Sequence, residues 1–594
     1  MAYINSSTES FYQGYSSLDP DYGDVFTGYR IPISNIGSAT GTRTANQLAE
    51  VNARIREGLG AVEVQFCGQS ETGTGMDQSI PREHLKEINR LAKLNKVNIS
   101  VHAPFIDPSG FTDKGWTEQS KDESRRRLWD AVDRASELDP NGNVPVTIHA
   151  SHVPGTDWVP GKTREEQRQA VYVVNQETKQ LAKAEREIKE YPHGQEKLGP
   201  QDQIDAMNQT TWLNSLTQAT DFKQKADSLV QHAWPLIAPE YVNILEGKKK
   251  ISDLAPEQQM ALNQVNQAEI FYREMGATLN GLFDKAYRYG DDAQKKKLEK
   301  IRKELVDYDE ELIKQKKSPV SFMHRMQEGD NLIQKFSDPS IQAKTFIPVE
   351  QFAMKHTADN LSDIALKAYE KYGKKAPIIS LEHVAPGLAF GRAEELKGLI
   401  NKTREEIAIK ARAKGYSSEK ASQIAQQMVG ATWDTGHINL LRSKGFTKED
   451  IVKETKSIAP LVKHVHFTDN FGYEDSHLGP GMGNAPFKEM FEELKKEGFK
   501  GRFIGELPGA AVPFKMSPTP QVLQAFGSPL YSMQMQPYWN QAPVATFGDY
   551  SSGYGMMLPE QHFSIYSAGW SALPAELGGQ QGGKGQRFSG RPME

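Results

Sequence analysis

Nine histidine and carboxylate residues recur at the ends of apolar segments of this sequence or, for Asp475 and His477, in the loop that follows one of them. They are His102, His149, Glu382, Asp434, His437, His466, Asp475, His477 and Glu506. Imidazole nitrogens and carboxylate oxygens are the ligands that zinc and manganese accept where no thiolate is available, and a carboxylate can bridge two ions. The sequence has one cysteine, Cys67, which excludes a thiolate cluster and an intramolecular disulfide. These residue types therefore predict a cluster of divalent metal ions, most readily zinc.

The evidence for a metal site is the repeated occurrence of such residues at strand ends, and any one of them alone is weak evidence. A single histidine at the end of a strand is more often a hydrogen-bonded core residue than a ligand, and Asp434 or Glu506 alone fits a structural carboxylate. Here six successive predicted strands each end in His, Asp or Glu. Without a cation, so many titratable groups buried together would repel one another and would each need a partner.

The segments that carry these residues are short, apolar and separated by helical patterns. Strands are predicted at 31–37, 61–66, 98–105, 144–152, 377–384, 428–437, 462–469 and 501–508, with helices at 81–95, 393–415 and 486–499. Eight strands in alternation with helices indicate an α/β fold, a (β/α)₈ TIM barrel. Because the C-terminal ends of the strands meet at one mouth, the nine residues become neighbours.

The interval between the fourth and fifth strands is long, polar and rich in Lys, Glu and Gln. The barrel is predicted in two parts, 31–162 and 376–509, around a helical insertion at 163–375 with helices at 169–191 and 293–317. A solvated arm that binds a protein partner and a cap over the barrel mouth are both open for this insertion. Residues 1–30 form an N-terminal extension, and residues 510–594 form a Pro-, Gln-, Gly- and aromatic-rich extension whose end is expected to be disordered.

Charge and hydropathy limit the partners. With 71 Lys and Arg against 76 Asp and Glu, the formal net charge is −5, so a contact with nucleic acid must be local. The first 30 residues lack the basic flank and apolar core of a signal peptide, and no stretch is apolar enough for a membrane span. We therefore expect a cytoplasmic protein.

Several segments resemble the xylose isomerase-like barrels and, among these, the endonuclease IV family of type 2 apurinic/apyrimidinic (AP) endonucleases. They are VHAPF (101–105), TIHASH (147–152), SLEHVAPG (380–387), WDTGHINL (433–440), HVHFTDN (464–470), EDSHLGPG (474–481) and IGELPG (504–509). The resemblance implies three zinc sites. Their ligands are His102, His149 and Glu382 for the first, Glu382, Asp434, His466 and Glu506 for the second, and His437, Asp475 and His477 for the third.

A trinuclear centre of this kind implies a phosphodiesterase that cleaves damaged double-stranded DNA at abasic sites, in base excision repair. Glu382 would then bridge metals and orient the attacking water. Phe105 would either enter the duplex or cap the barrel core, and Arg43 and Arg392 are the candidate contacts to the DNA. Met482 departs from the family pattern, because a Glu commonly stands at this position.

Sugar phosphate isomerase/epimerase-like proteins of the same superfamily are also similar to this sequence. They imply one metal ion, with Mn²⁺ or Co²⁺ as alternatives to zinc. Glu382 and Glu506 would exchange a proton on opposite faces of a ketose through an enediolate. The acidic net charge suits such a small neutral sugar. A third hypothesis is a barrel kept as a scaffold, with the insertion and the C-terminal extension as binding surfaces.

Overall fold

Eight parallel strands close into a barrel in this computed structural model, which describes residues 26–68, 75–139, 141–163, 167–192, 194–314, 320–507 and 517–528. The strands are β1 (Ile36–Ala39), β2 (Ala61–Gln65), β3 (Asn98–His102), β4 (Pro145–His149), β5 (Ile378–Glu382), β6 (Val429–Asp434), β7 (Val462–Phe467) and β8 (Phe503–Gly505). Each strand pairs in parallel with the next along the chain, and β8 pairs with β1. The predicted TIM barrel is confirmed.

The barrel strands are covered on both faces, which explains their continuous apolar sequences. All six residues of β6 are buried, Trp433 among them. Gly37 lies where β1 approaches its neighbours most closely. A Cβ there would come within 2.5 Å of the Ala61 carbonyl oxygen and of the Ile504 side chain, so a larger residue would push the strands apart.

The main helices of the barrel unit include the three that helical patterns predicted. They are Gln47–Arg56, Arg82–Asn95, Glu118–Ala135, Val349–Tyr372, Ala393–Ala413, Ser418–Met428, Lys448–Ile458 and Phe487–Lys496, with shorter helices at Met76–Ser79, Thr435–Asn439 and Thr519–Ala525. The helix that begins at Glu118 has a capping box, in which Thr117 Oγ1 accepts from the Ser120 N–H at 3.0 Å. Two-residue strands lie at Phe111–Thr112, Gly115–Trp116 and Asp157–Trp158.

A second compact unit spans Ala170–Pro348. Its helices are Pro200–Leu245, Pro256–Tyr289, Asp292–Lys314 and Val320–Phe336, and its core contains the fully buried Tyr272, Leu279 and Phe336. This unit is shorter than the predicted insertion at 163–375. The difference arises because Val349–Tyr372 is a helix of the barrel unit, with Phe352, Leu361 and Ile364 buried.

The predicted helix at 169–191 is wrong, whereas the predicted helix at 293–317 is present as Asp292–Lys314. Residues 168–198 form strands: Arg168–Asn175 pairs with Leu181–Glu185, and Glu187–Tyr191 pairs with Gly194–Leu198, both antiparallel. Buried Val171 and Val173 pack against Ile204. Strand pairing and this packing outweigh the helix propensity of the Lys- and Glu-rich half.

Most of the two predicted terminal extensions lies outside the described residues, including the end expected to be disordered. The described part of the C-terminal extension packs on the barrel unit. The ring of Phe526 is buried and lies 5.1 Å from the ring of Phe467 and 6.0 Å from that of Phe487. Among the helices of the described residues, none combines the length and the apolar character needed to cross a bilayer.

Candidate metal centre

The barrel brings the nine predicted ligands together at the C-terminal ends of its strands. They form three groups, and within each group the donor atoms lie within 4.8 Å of one another. The groups are His102, His149 and Glu382; Glu382, Asp434, His466 and Glu506; and His437, Asp475 and His477. Metal binding by these residues stays a prediction, but the required spatial grouping is present.

Glu382 lies at the centre of the three groups. Its Oε2 is 3.4 Å from Nε2 of His102 and 3.4 Å from Nε2 of His149. Its Oε1 is 2.8 Å from Nδ1 of His466 and 3.9 Å from Nδ1 of His437. The side chain is fully buried, so one carboxylate can serve two neighbouring cation positions.

Hydrogen bonds to backbone carbonyls orient three of the histidine rings. Nδ1 of His102 is 2.9 Å from the Ala103 carbonyl, Nδ1 of His437 is 2.9 Å from the His383 carbonyl, and Nδ1 of His477 is 3.0 Å from the Glu506 carbonyl. A carbonyl only accepts, so each Nδ1 donates and Nε2 is left as the ligand atom. Nε2 of His437 and of His477 lie 3.3 and 3.1 Å from Asp475 Oδ2.

Two buried carboxylate oxygens indicate that cations fit here. Asp434 Oδ1 accepts from the backbone of Gly436 and His437 and from Thr468 Oγ1 at 2.8 Å. Within the described residues, Asp434 Oδ2 accepts no hydrogen bond, and the neighbours of Glu382 Oε2 are the two imidazole Nε2 atoms at 3.4 Å, neither in good hydrogen-bond geometry. An unsatisfied buried oxygen of a charged group costs at least about 1–3 kcal/mol. A cation would remove that cost, so the donor set fits divalent ions.

For Glu382 and His437, neighbouring charges shift the pKa more strongly than burial does, and in the opposite direction. Burial alone would raise the pKa of Glu382, but His466, His102 and His149 lower it well below its ordinary value. Burial would lower the pKa of His437, but the charges of Asp434 and Asp475 raise it well above the ordinary value. His149 differs, because burial dominates and lowers its pKa to about 4. The cluster therefore holds protons at neutral pH that a cation must displace.

Binding of Zn²⁺ is accordingly expected to release protons. Burial would lower the pKa of His477, but its hydrogen bond to Asp475 raises it to about 9, so this ring is protonated at neutral pH and must lose its proton to bind a cation. The apparent zinc affinity should thus rise with pH and level off above about pH 9. Calorimetry in two buffers of different ionisation enthalpy measures the proton count. A binding enthalpy that is the same in both buffers would contradict this prediction, and the neutral His149 should contribute no proton.

Sequence reasoning missed Glu63, which forms a fourth group with His464 and His466. Glu63 Oε2 is 2.9 Å from Nε2 of His464, and Glu63 Oε1 is 3.1 Å from Nε2 of His466. Gln65, two residues along β2, donates from Nε2 to Glu506 Oε1 at 3.2 Å. The available signal was a charged residue inside the apolar run AVEVQF, on a strand that supplies no ligand.

The loop after β7 is shaped by Asp469. Its carboxylate accepts hydrogen bonds of 2.8–3.0 Å from the backbone N–H groups of Asn470, Gly481, Gly483 and Ala485. Met482 lies in this turn, half-buried, and its N–H donates to the Gly479 carbonyl at 3.1 Å. The conformation of the loop that contains Met482 is therefore fixed by hydrogen bonds to Asp469.

The structure places Phe105 beside the first ligand group. Its ring is 56% exposed and lies 5.5 Å from the ring of His102 and 5.0 Å from that of His149. Its exposure fits a contact with a substrate better than a cap on the barrel core. Arg43 is exposed in the loop after β1. The roles of both residues in substrate binding stay predictions.

Arg392 does not present a free guanidinium in this structure, and its contact with DNA stays a prediction that its present partners disfavour. Its Nη2 pairs with Glu454, its Nε donates to the same carboxylate at 3.0 Å, and its side chain is only 14% exposed. The guanidinium carbon lies 4.9 Å from the ring centre of Trp158 and 5.2 Å from that of Phe446. The ion pair and the aromatic packing thus indicate that Arg392 stabilises the fold.

Comparisons with known proteins agree with the barrel. Residues 405–525 match a family model described as a xylose isomerase-like TIM barrel. An uncharacterized protein of Methanocaldococcus jannaschii is 36% identical over 83 residues, which are 14% of this chain and 27% of that protein. The chain thus matches about a quarter of the length of this curated relative.

Solved structures similar to this chain are sugar epimerases by title. A D-tagatose 3-epimerase-like protein has a TM-score of 0.35 and 14% identity, over 79% of this chain and 90% of that one. The 3-keto-D-glucoside 4-epimerase of E. coli has a TM-score of 0.33 and 8% identity, over 79% and 90%. An L-ribulose 3-epimerase has a TM-score of 0.32 and 9% identity, over 79% and 80%.

Proposed function

We propose that this chain, a TIM barrel of which residues 405–525 match a xylose isomerase-like family model, is a metal-dependent phosphoesterase with zinc as its first candidate ion. The observation that carries the proposal is the closeness of the three ligand groups. Glu382 belongs to two of them, and its Oε1 lies 3.9 Å from the ring of His437, a member of the third. Moving one proton between carbon atoms needs a single ion, for which Glu382, Asp434, His466 and Glu506 suffice. The five other ligands are accounted for if several ions share a phosphate.

Divalent ions held by these residues would polarise phosphoryl oxygens, lower the pKa of a coordinated water and offset developing negative charge. The chain itself supplies position. Glu382 faces two groups with its two oxygens. Gln65 Nε2 donates to Glu506 Oε1, while Glu506 Oε2 lies 3.8 Å from Nδ1 of His466. Glu506 and His466 belong to the central ligand group, which is Glu382, Asp434, His466 and Glu506. Phe105 covers the rings of His102 and His149 from the solvent side. These residues hold the reacting groups in one geometry.

The finer proposal is that the substrate is the phosphodiester at an abasic site of double-stranded DNA. An enzyme of this kind must reach a sugar phosphate inside a duplex, which usually requires flipping the nucleotide outward. The exposed Phe105 beside the ligand groups supports this proposal, because an aromatic ring in this position can fill the space that a displaced nucleotide leaves. A protein partner bound by the insertion is a separate proposal.

A second candidate, a single-metal ketose epimerase, is favoured by the sparse positive charge of the loops. Binding a polyanion needs several lysine or arginine contacts. Besides Arg392, Arg82 pairs with Glu137, and Lys444 Nζ lies 2.8 Å from Asp157. Glu382 and Glu506 belong to one ligand group, as a proton exchange through an enediolate requires.

Metal counting combined with two assays separates the candidates. The full chain is loaded with Zn²⁺, and the bound metal is counted by elemental analysis. It is then incubated with a duplex that carries one abasic-site analogue, with an undamaged duplex as control, and separately with ketoses in the presence of Mn²⁺ or Co²⁺. More than one zinc per chain with strand cleavage supports the phosphoesterase. About one ion with ketose interconversion supports the epimerase. Metal-free protein that chelators do not affect contradicts both and favours the scaffold hypothesis.

A further inference from the structure

Strand β2 supplies none of the nine ligands, yet the side chain of Glu63 contacts the ligand His466 inside the barrel. We propose that Glu63 is a positioning residue that fixes the ring of His466 so that its Nδ1 faces the central ligand group. The inference rests on the proposed metal centre, and it assigns to Glu63 a role that no ligand pattern in the sequence predicts.

The carboxylate of Glu63 is fully buried and surrounded by donors. Its partners are Nε2 of His464 at 2.9 Å, Nε2 of His466 at 3.1 Å, Ser100 Oγ at 2.9 Å and Gln65 Nε2 at 3.4 Å. An ionised carboxylate can only accept hydrogen bonds. Both imidazoles must therefore present an N–H group to Glu63 from Nε2.

This contact selects the tautomer of His466. A ligating imidazole must be neutral, and with its one N–H committed from Nε2 to Glu63 its lone pair is on Nδ1, the atom that lies 2.8 Å from Glu382 Oε1 and 3.8 Å from Glu506 Oε2. Without the carboxylate, the ring is free to place its hydrogen on Nδ1 and donate it to Glu382, which would block the ligand atom. A carboxylate behind a ligating imidazole also raises the basicity of the ring.

Packing alone does not require a charge at this depth. On β4, β5 and β6, the buried side chain two residues before the strand-end ligand is a neutral hydroxyl, and these hydroxyls satisfy one another: Thr147 Oγ1 lies 3.1 Å from Thr432 Oγ1, which donates to Ser380 Oγ at 2.8 Å. A buried carboxylate costs far more to desolvate than these hydroxyls. The buried charge of Glu63 is therefore explained by its contact with the predicted ligand His466 and not by packing.

Glu63→Gln is the test, because it keeps the size of the side chain and removes its charge. The matched control is Glu395→Gln. Glu395 is also buried and outside the ligand groups, and burial with the charge of Glu350 raises its pKa to about 8. At neutral pH it is already uncharged, so glutamine imitates it closely. A second variant, Ser100→Ala, removes one donor to Glu63 and keeps the carboxylate.

Zinc affinity is measured by calorimetry, and the ring nitrogens of the zinc-loaded protein by NMR after ¹⁵N-histidine labelling. For Glu63→Gln we expect an affinity about 10- to 100-fold weaker at one site and a changed Nδ1/Nε2 pattern for one histidine, with Glu63→Asp between this variant and the wild type. Ser100→Ala should show a smaller loss in the same direction, and it provides the test if Glu63→Gln does not fold.

Unchanged affinity and an unchanged histidine pattern in Glu63→Gln, or an equal loss in Glu395→Gln, would overturn the assignment. Binding and spectroscopy do not depend on the reaction. If the wild type binds zinc but cleaves no phosphoester, the proposed function fails while the role of Glu63 is still decided by the affinity ratio. If the wild type binds no divalent ion, both proposals fail together.

Discussion

Replacing Glu382 with glutamine is expected to abolish phosphoester cleavage and to weaken two ion positions at once. Glu382 is a member of two ligand groups, and it is the residue whose oxygens face His102 and His149 on one side and His466 on the other. Glutamine offers one neutral oxygen in place of two anionic ones, so it cannot serve both groups. Its amide N–H₂ would also face imidazole nitrogens that are needed as ligands.

The expected loss in kcat/KM is at least on the order of 10³-fold, since a catalytic ion contributes several kcal/mol to transition-state stabilisation and each 1.36 kcal/mol is tenfold. Metal content by elemental analysis should fall in parallel. Glu382→Asp should not restore activity, because the charge returns but the shorter side chain cannot reach both groups.

The control is again Glu395→Gln, which should keep its metal content and activity. A Glu382→Gln protein that retains its full metal content would contradict the shared-ligand arrangement. One that loses metal but keeps full activity would show that the bound ions have no part in the reaction. A ketose epimerase should also lose activity in this variant, so the assay on the abasic duplex remains necessary to identify the substrate.

The grouping of the nine candidate ligands could be predicted from the sequence, because a parallel barrel brings the C-terminal ends of all its strands together. Each barrel strand is short and apolar, and a His, Asp or Glu at its end lies at the common mouth whichever strand carries it. His102 and Glu506 are 404 positions apart in the numbering, yet Nε2 of one lies 4.0 Å from Oε1 of the other. Recurrence at strand ends was therefore sufficient evidence for the grouping.

What the sequence did not predict depends on neighbours that are distant along the chain. In the sequence, Glu63 is only a charged residue inside an apolar strand. Its role depends on His464 and Ser100, which contact it from other strands. The helix-like composition of residues 169–191 was misleading because pairing decides their state: Val173 lies opposite Ala182 on one side and Pro348 on the other. Local propensity does not include such non-local pairing.

Arg392 illustrates the same limit for a charged residue, and its replacement should affect stability rather than substrate binding. Arg392→Ala would leave the buried carboxylate of Glu454 without its cation, although Glu454 Oε2 would still accept from the Ala393 N–H at 2.8 Å. Breaking a buried pair on one side costs about 3–5 kcal/mol, and lost packing on Trp158 and Phe446 adds to this. Zinc content and cleavage by the folded protein should stay unchanged.

Urea denaturation measures this effect, with exposed Arg43→Ala as the matched control, for which a change within about 0.5 kcal/mol is expected. The double variant Arg392→Met with Glu454→Gln should be more stable than Arg392→Ala, because it leaves no charge unpaired. If Arg392 instead contacts a polyanionic substrate, Arg392→Ala will keep its stability, and KM on the abasic duplex will rise with a weaker salt dependence. We expect the opposite, because the guanidinium already has a carboxylate and two aromatic faces as partners.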